Sequence, residues 1–369
     1  MAASGSGSSG QVDGSRYANN MVKSSAVPLT ELDREILALG DSMLVGTKTY
    51  QRAMSILAEF MKIVREAVRS RHGIKAKVFG SYASGLAEHT SDLDVCLIVQ
   101  DRDSKDVLAD IQKAIPYDGG NGKFSLERVV WKCRVPIARL EYDGYLAVEV
   151  CVNNIEARSN SMLLSDLYSW DCRAAYLYMV VKRWLKINEL YGASCGYLSS
   201  YSWSILVIFW LQAKGLVPPI KNESAWEPRA ESFQPQFGNL GQLLIGFFYF
   251  YAKQFDWTKD VVSLYHGVPT SSQDQFFKFP KTSCGIRICD PLKPTRDLGD
   301  VLHYGSADTI QGACLKAYNM IKKDDSIKQF LKRKCYTCER EVLDFTDARE
   351  DNKNRFHCEI CWAEYEEHT

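Results

Sequence analysis

Residues 77–100 read KVFGSYASGLAEHTSDLDVCLIVQ: a glycine-serine turn, two aspartates one residue apart, then an apolar run. A short apolar run reads as a buried strand, and buried strands avoid charge unless something answers it. On a strand, Asp92 and Asp94 share one face about 6.6 Å apart. Two hard oxygen donors so placed suit Mg2+ together with a substrate's phosphates. A Ser/Asp turn leading into a strand is the other reading of the same residues.

A two-metal site asks for a third carboxylate from a neighbouring strand. In YLAVEVCVNN, Leu146, Val148, Val150 and Val152 share one face, and Ala147, Glu149 and Cys151 share the other. A lone Glu inside an apolar strand is costly unless it is paired, which makes Glu149 the third ligand. Asp143 is explained by its Asp-Gly turn. Upstream, Gly80 permits close backbone approach, and Ser81 can donate to a phosphate.

The surrounding chain organises itself around this stretch. PLTELDREILALGDSML and YQRAMSILAEFMKIVREAVRSRH carry apolar residues at helical spacing, with Thr30 as N-cap and Gly73 as a stop. From 75 to 152, strands AKVFG, DVCLIV, LERVVW, VPIARLEY and LAVEVCV surround one helix, SKDVLADIQKAI. From about 160 to 334 helical patterns return, interrupted by the proline-punctuated segment VPPIKNESAWEPRAESFQPQ. The fold class expected is α+β: a small mixed-sheet domain, a mainly helical lobe and a C-terminal zinc module. The expected divisions are a disordered leader over 1–29, then 30–160, with packing of its first helices on the helical lobe left open, 161–333 and 334–369.

Composition narrows the class. The 369 residues carry 45 Lys/Arg and 45 Asp/Glu, so total charge does not advertise a polyanionic partner, though a local basic cleft is compatible with it. No basic run is read before residue 321, where IKKDDSIKQFLKRK begins: an RNA-phosphate contact or a solvated helix face. SILVIFWLQA and LLIGFFYFYA are too short to span a bilayer, and the Gly/Ser-rich first twenty residues show no secretory signal. No membrane association is expected. Eight of the twelve cysteines, Cys96, Cys133 and Cys151 among them, are scattered singly and read as buried reduced thiols.

The other four cysteines form C-x2-C-x19-C-x2-C: Cys335, Cys338, Cys358 and Cys361. Two such knuckles predict one tetrahedral structural Zn2+, with His357 and His368 as fallback ligands. The intervening EREVLDFTDAREDNKNRF is too polar to build a core, so metal must supply the folding energy. From 339 to 369 there are ten acidic and four basic residues, the wrong sign for phosphate. That tail reads as a module for docking a protein partner or bracing a lobe.

FGSYASGL…SDLDV resembles the signature of the DNA-polymerase-β-type nucleotidyltransferases. More narrowly, the chain from about 31 to 320 resembles template-independent RNA nucleotidyltransferases, the terminal uridylyltransferases and their poly(A) polymerase relatives. VNNIEARSNSMLL, VVKRWLK, YLSSYSWSILVIFWLQ, LLIGFFYFYAKQFDW and ICDPLKPTRDLG carry the likeness. It implies two lobes with an NTP and an RNA 3′ end in the cleft between them, and two Mg2+ (or Mn2+) ions on Asp92, Asp94 and Glu149. The family usually has Asp where this chain has Glu149.

The resemblance also implies roles elsewhere. Lys182 and Lys186 neutralise the triphosphate, and Ser200 contacts it. The base stacks on Tyr201, which from the residues alone could equally be a core aromatic. Asn160 and Ser161 meet the ribose hydroxyls, Ser161 standing for a common Thr. Base choice falls to Asp290 and Arg296, the latter at the position of a family histidine. Arginine has only donors, which suit uracil O4 and oppose the amino group of adenine. The expectation is a cytoplasmic enzyme adding UMP to RNA 3′ ends. The alternatives are a poly(A) polymerase and an inactive RNA- or protein-binding scaffold.

Overall fold

The alternating runs after residue 75 become strands, and the computed structural model pairs them into one mixed sheet. It describes residues 29–117, 120, 122–220, 239–277, 279, 285–334, 337–338, 341–343, 348–350 and 356–358. Two compact units emerge, the first holding residues 43–169 and the second residues 29–42 with the chain from Trp170 onward.

Helix α1 (Glu31–Met43) leads into α2 (Thr47–Ala67), the first helix of the first unit. There follow β1 (Lys75–Val78), the single turn α3 (Gly80–Ser84), β2 (Leu93–Ile98) and α4 (Ser104–Ala114). β3 (Phe124–Val130), β4 (Ile137–Tyr142), β5 (Leu146–Val152) and α5 (Ile155–Ser169) complete it. The sheet order is β1-β2-β5-β4-β3, with β2 and β5 parallel and the other neighbours antiparallel. Leu93, Val95, Leu97, Leu140, Val148 and Val150 pack against Ile56, Phe60, Val64, Val107, Leu108 and Ile111 of α2 and α4. Burial of one sheet face follows from the period of two, and it leaves Asp94, Arg139 and Glu149 together on the other face.

The second unit is built on α6 (Arg173–Ile187) and α7 (Ser200–Ala213), the latter buried from Ser202 to Gln212. A helix apolar all round belongs in a core. α8 (Leu240–Tyr249) continues as a π turn over Phe250–Gln254, and α9 (Ser306–Asp324) follows a small sheet. That sheet runs β7-β6-β8-β9, from β6 (Asp260–Val262), β7 (Thr270–Ser271), β8 (Arg287–Asp290) and β9 (Lys293–Asp297). Trp184 meets Trp203 and Phe248 edge-on at 6.1 and 4.8 Å between ring centroids, locking α6, α7 and α8 together. Among the described residues no helix is long and apolar enough to cross a membrane.

α1 is an early helix that joins the second unit, where Asp33, fully buried, accepts a hydrogen bond from the Gly241 N–H at 2.9 Å. Other boundaries differ from expectation. α5 stays with the first unit because it packs on α3, moving the division from 160 to 169. α2 stops at Ala67, six residues before Gly73. α9 ends at Asp324, where Asp325 turns left-handed, so 321–334 is not one amphipathic helix; β10 (Lys332–Lys334) follows. Cys96 and Cys151 are buried, whereas Cys133 is exposed.

Beyond β10 the backbone forms β11 (Glu341–Leu343), β12 (Ala348–Glu350) and β13 (Phe356–Cys358), paired β10–β11 and β12–β13. Cys335, Cys361 and His368 lie outside the described residues, as does most of the segment 217–236. The four-cysteine zinc site therefore falls outside the described residues, apart from the exposed Cys338 and the backbone of Cys358.

Asp33 also accepts from the Thr30 N–H and hydroxyl, both at 2.8 Å, while Thr30 Oγ1 accepts from the Asp33 N–H at 3.1 Å. This is a reciprocal cap in which Asp serves where Glu or Gln is usual. Asp33→Ala leaves three donors without their acceptor, one of them buried. Urea unfolding is expected to show a loss of about 2–3 kcal/mol.

Candidate active site

The polar face of the first unit's sheet is decided by strand register. Asp94 on β2 lies directly beside Glu149 on β5, and Arg139 on β4 lies beside Glu149 from the other side. Asp92 stands one residue before β2, at its mouth. The three carboxylates predicted from sequence are thus brought together by two adjacent strands, β2 and β5, with Arg139 supplied by the third, β4.

Gly80 closes the site from β1's end. Its φ is +64°, and an added Cβ would lie 1.9 Å from Asp94 Oδ2. Only glycine supplies that backbone conformation and that space. The turn is held twice: Phe79 N–H donates to the Asp94 carbonyl at 3.0 Å, and Gly80 N–H donates to Ser161 Oγ at 2.8 Å. Ser161 is 5% exposed and donates to the Ala157 carbonyl at 2.9 Å. The structure therefore gives Ser161 the task of positioning Gly80. Its neighbour Asn160 has a buried Oδ1 with no hydrogen-bond partner among the described residues. Ser81 occupies the first turn of α3, next to Gly80.

Arg139 is the residue that sequence reading missed. Its Nη1 lies 2.7 Å from Glu149 Oε1 and 3.1 Å from Asp92 Oδ2, and its Nε lies 2.7 Å from Glu127 Oε2. A signal existed in IARLEY, where alternation puts Arg139 on the face opposite Ala138 and Leu140. Its meeting with Glu149, however, depends on the hairpin loop. Asp143 and Gly144 are both at positive φ, as an Asp-Gly turn requires, but Tyr145 adds a residue before Tyr142 pairs with Leu146. A two-residue loop would have put Arg139 opposite Val148. Burial disfavours the Arg139 charge, and Asp92, Glu149 and Glu127 outweigh it, so the guanidinium pKa is raised.

Electrostatics fit a cation. Burial pushes the Asp94 carboxyl up to about 8, Glu149 and Asp92 push the same way, and Arg139 opposes them. Like charges crowded at one point are relieved by a proton or a metal. Hard oxygen donors from three side chains, with no side chain on Gly80, suit a Mg2+-type ion that keeps waters and substrate oxygens. As the side chains stand, no three His, Cys, Asp or Glu groups among the described residues are placed to hold a metal ion. Arg139 holds Asp92 and Glu149 in ion pairs, so metal entry requires that guanidinium to give way.

In the second unit, Tyr201, Asp290 and Arg296 come together. Asp290, 2% exposed, accepts from the Leu292 N–H at 3.0 Å, and Arg296 Nη1 lies 3.4 Å from its other oxygen. Arg296 therefore pairs with Asp290, while Asp297 accepts from the Ile288 and Gly299 N–H groups at 3.0 and 2.8 Å and stiffens the β8–β9 hairpin. Burial, then the Asp290 charge, raises the Tyr201 pKa, and the Tyr201 hydroxyl is buried without a hydrogen-bond partner among the described residues. Lys182 and Lys186 lie one turn apart on α6, both half-buried. Lys182 Nζ is 6.0 Å from the Tyr178 ring, whose hydroxyl donates to the Ser200 carbonyl at 3.2 Å. Ser200 opens α7 and is exposed.

The chain is similar to known proteins. Residues 32–169 match the family model for the central palm domain of mitochondrial-like poly(A) RNA polymerase, and residues 239–296 match that of the Cid1 family poly A polymerase. Terminal uridylyltransferase cid1 of Schizosaccharomyces pombe is 31% identical over 209 residues, 50% of this chain and 50% of the relative. Poly(A) RNA polymerase GLD2 of Homo sapiens is 26% identical over 284 residues, 68% of this chain and 57% of the relative. The chain spans about half the length of the curated relatives it matches. A solved cytoplasmic RNA terminal U-transferase superposes with a TM-score of 0.65 at 22% identity, covering 79% of this chain and 93% of that one. The structure of mtPAP in complex with UTP gives 0.70 at 14% identity, covering 82% and 70%. At these identities the structural likeness is one of fold.

The Asp94 proton makes cation binding depend on pH. A divalent ion must displace that proton, so its apparent affinity is expected to rise by up to about tenfold per pH unit and level off above about 8. Without the ion, the folded chain holds this proton more tightly than the unfolded chain does. Asp94 therefore subtracts stability as pH rises from the usual carboxylate range toward about 8. Calorimetric Mn2+ titrations across this range check it; an affinity flat in pH would show that Asp94 carries no proton there.

Proposed function

Since this chain belongs to the polymerase-β-type family of terminal uridylyltransferases and poly(A) polymerases, we propose that it adds nucleoside monophosphates, UMP by preference, to RNA 3′ ends without a template. The observation that carries the proposal is the in-register pair Asp94–Glu149 with Asp92 at the strand mouth and Gly80 pressed against it. Divalent ions on those carboxylates would supply the acidity of the RNA 3′-hydroxyl and the charge that pyrophosphate leaves with. Glu149, one methylene longer than the usual Asp, reaches Arg139 at 2.7 Å, and that contact supports a role for Arg139 as the resting counter-ion.

The remaining assignments concern the nucleotide. Asn160, with its orphaned buried acceptor, suits a ribose hydroxyl donor. Ser81, Lys182, Lys186 and Ser200 take the triphosphate, and Tyr201 offers its ring to the base, an affinity with little base discrimination. Asp290 is too buried to be the main base contact. In this reading it orients Arg296, 39% exposed, whose remaining donors meet uracil O4 and oppose the adenine amino group. AMP addition is the competing reading, because poly(A) polymerases stand beside the uridylyltransferase among the relatives. The tail is proposed to fold around one Zn2+ held by Cys335, Cys338, Cys358 and Cys361, with a protein partner docking there.

Primer extension on one labelled RNA with each single NTP tests base choice. UTP is expected to exceed ATP by about 5- to 150-fold, the range of a good polar contact, with Arg296→Ala eroding the preference more than total incorporation. Equal or better use of ATP makes the chain a poly(A) polymerase. Asp92→Ala and Asp94→Ala are expected to abolish extension with the fold retained; a wild type silent with every NTP would leave the scaffold reading.

The zinc assignment has its own measurement. Metal analysis of the purified chain is expected to find about one zinc, lost in the double variant Cys335→Ser with Cys361→Ser. Wild-type protein free of zinc overturns the four-thiolate site.

A further inference from the structure

A second concentration of charge lies at the far end of the first unit's sheet. Between residues 62 and 77 stand Lys62, Arg65, Arg69, Arg71, Lys75 and Lys77, with His72, against the single carboxylate of Glu66. Basic residues therefore gather well before residue 321, contrary to the sequence reading. Apolar residues between them disguise the run. The helix period turns Val64 inward and Lys62 and Arg65 outward; just past the helix end, Val68 is buried and Arg69 exposed.

The end of α2 and the turn that follows form an open hollow of about 670 Å³, walled by Arg65, Arg69, Arg71, His72, Asp101 and Arg102. Its backbone is tied down. Asp101 accepts from the Ser70 hydroxyl at 2.6 Å and from the Arg71 backbone N–H, and these hydrogen bonds hold its carboxyl below the usual range. Arg102 donates to the Arg69 carbonyl at 3.0 Å and pairs with Asp110 at 2.8 Å. Asp101, the only carboxylate among the described residues of the wall, is thus engaged in holding the turn. The side chains of Arg65, Arg69 and Arg71 make no ion pair or hydrogen bond with any described residue. Lys75 and Lys77 lie on the edge strand β1, where lysines guard against strand addition, so the arginines carry the inference.

We propose that this hollow is an RNA-backbone site that holds phosphodiesters of the RNA body without reading sequence. Guanidinium forks match phosphate oxygens, and such contacts fix position rather than base identity. The cations are spread along a helix end and a turn, which suits an extended polyanion better than a single anion. No large apolar side chain is exposed over 62–77 or 101–105, so the surface lacks what a bilayer would take up. Asp94 lies near the start of β2 and Asp101 three residues beyond its end; the four strand steps from Asp94 to Ile98 alone cover roughly 13 Å, so the hollow is distinct from the carboxylate site. The inference rests on the reading of this chain as an RNA enzyme.

The test uses the full chain and a fluorescent single-stranded RNA of about 30 nucleotides, with binding followed by anisotropy over a salt series. In Arg65→Gln/Arg69→Gln/Arg71→Gln, the slope of log K against log salt is expected to shrink by about 2, since each phosphate no longer neutralised takes about 0.7 from it. Arg65→Lys/Arg69→Lys/Arg71→Lys keeps the charge and most of the slope. In extension assays the glutamine variant is expected to raise the KM for RNA about tenfold with kcat unchanged. A wild type that binds and extends RNA, with a slope unmoved in the glutamine variant, overturns this site alone. A wild type that neither binds nor extends RNA overturns the parent reading with it. Loss of binding to phosphatidylserine vesicles, with RNA binding intact, would make the surface a membrane contact and overturn the RNA assignment.

Discussion

Three carboxylates on one face of a sheet repel one another, and the first unit is arranged around that repulsion. Parallel pairing of β2 with β5 sets Asp94 beside Glu149, and Asp92 stands one residue before β2, at its mouth. Three responses are visible. Arg139 enters from β4 as a counter-ion to Asp92 and Glu149, Asp94 holds its proton up to about 8, and Gly80 surrenders its side chain to make room. A cation would relieve the same repulsion, so the site is poised between internal neutralisation and metal binding.

Ser161 shows how a backbone detail can carry that arrangement. Its hydroxyl does not face outward but grips the Gly80 N–H from α5, which ties the glycine turn to the helix following β5. The second unit uses the same device in its hairpin: Asp297 grips two backbone N–H groups and so fixes the strand that carries Arg296. In each case a buried side chain of modest size sets the place of a neighbour that faces substrate in the proposed chemistry.

Charge in this chain is segregated rather than absent. A formal net charge of +0 conceals a basic stretch at 62–77, a carboxylate cluster on the sheet and an acidic stretch at 339–369. Total charge therefore says little about partners, whereas local density does. The arginines near α2's end stand out because the one nearby wall carboxylate is already committed to the turn's backbone.

Alternation and helical spacing, which are local properties, gave the strands of the first unit almost residue by residue, the central helices α6 and α7, and the Thr30 cap. They also named Asp92, Asp94 and Glu149, because a charge inside an apolar strand is conspicuous one residue at a time. Other features required the chain to be folded. Arg139 meets Glu149 only because Tyr145 lengthens the hairpin by one residue, and a one-residue slip sends a side chain to the opposite face. Asp33 ties α1 to the second unit through a bond to Gly241, 208 residues away. Arg296 chose Asp290 over its sequence neighbour Asp297, since Asp297 was already held by backbone donors. Sequence period determines which way a side chain points along its own element; which partner it finds is decided by register between elements, and that exists only in the tertiary structure.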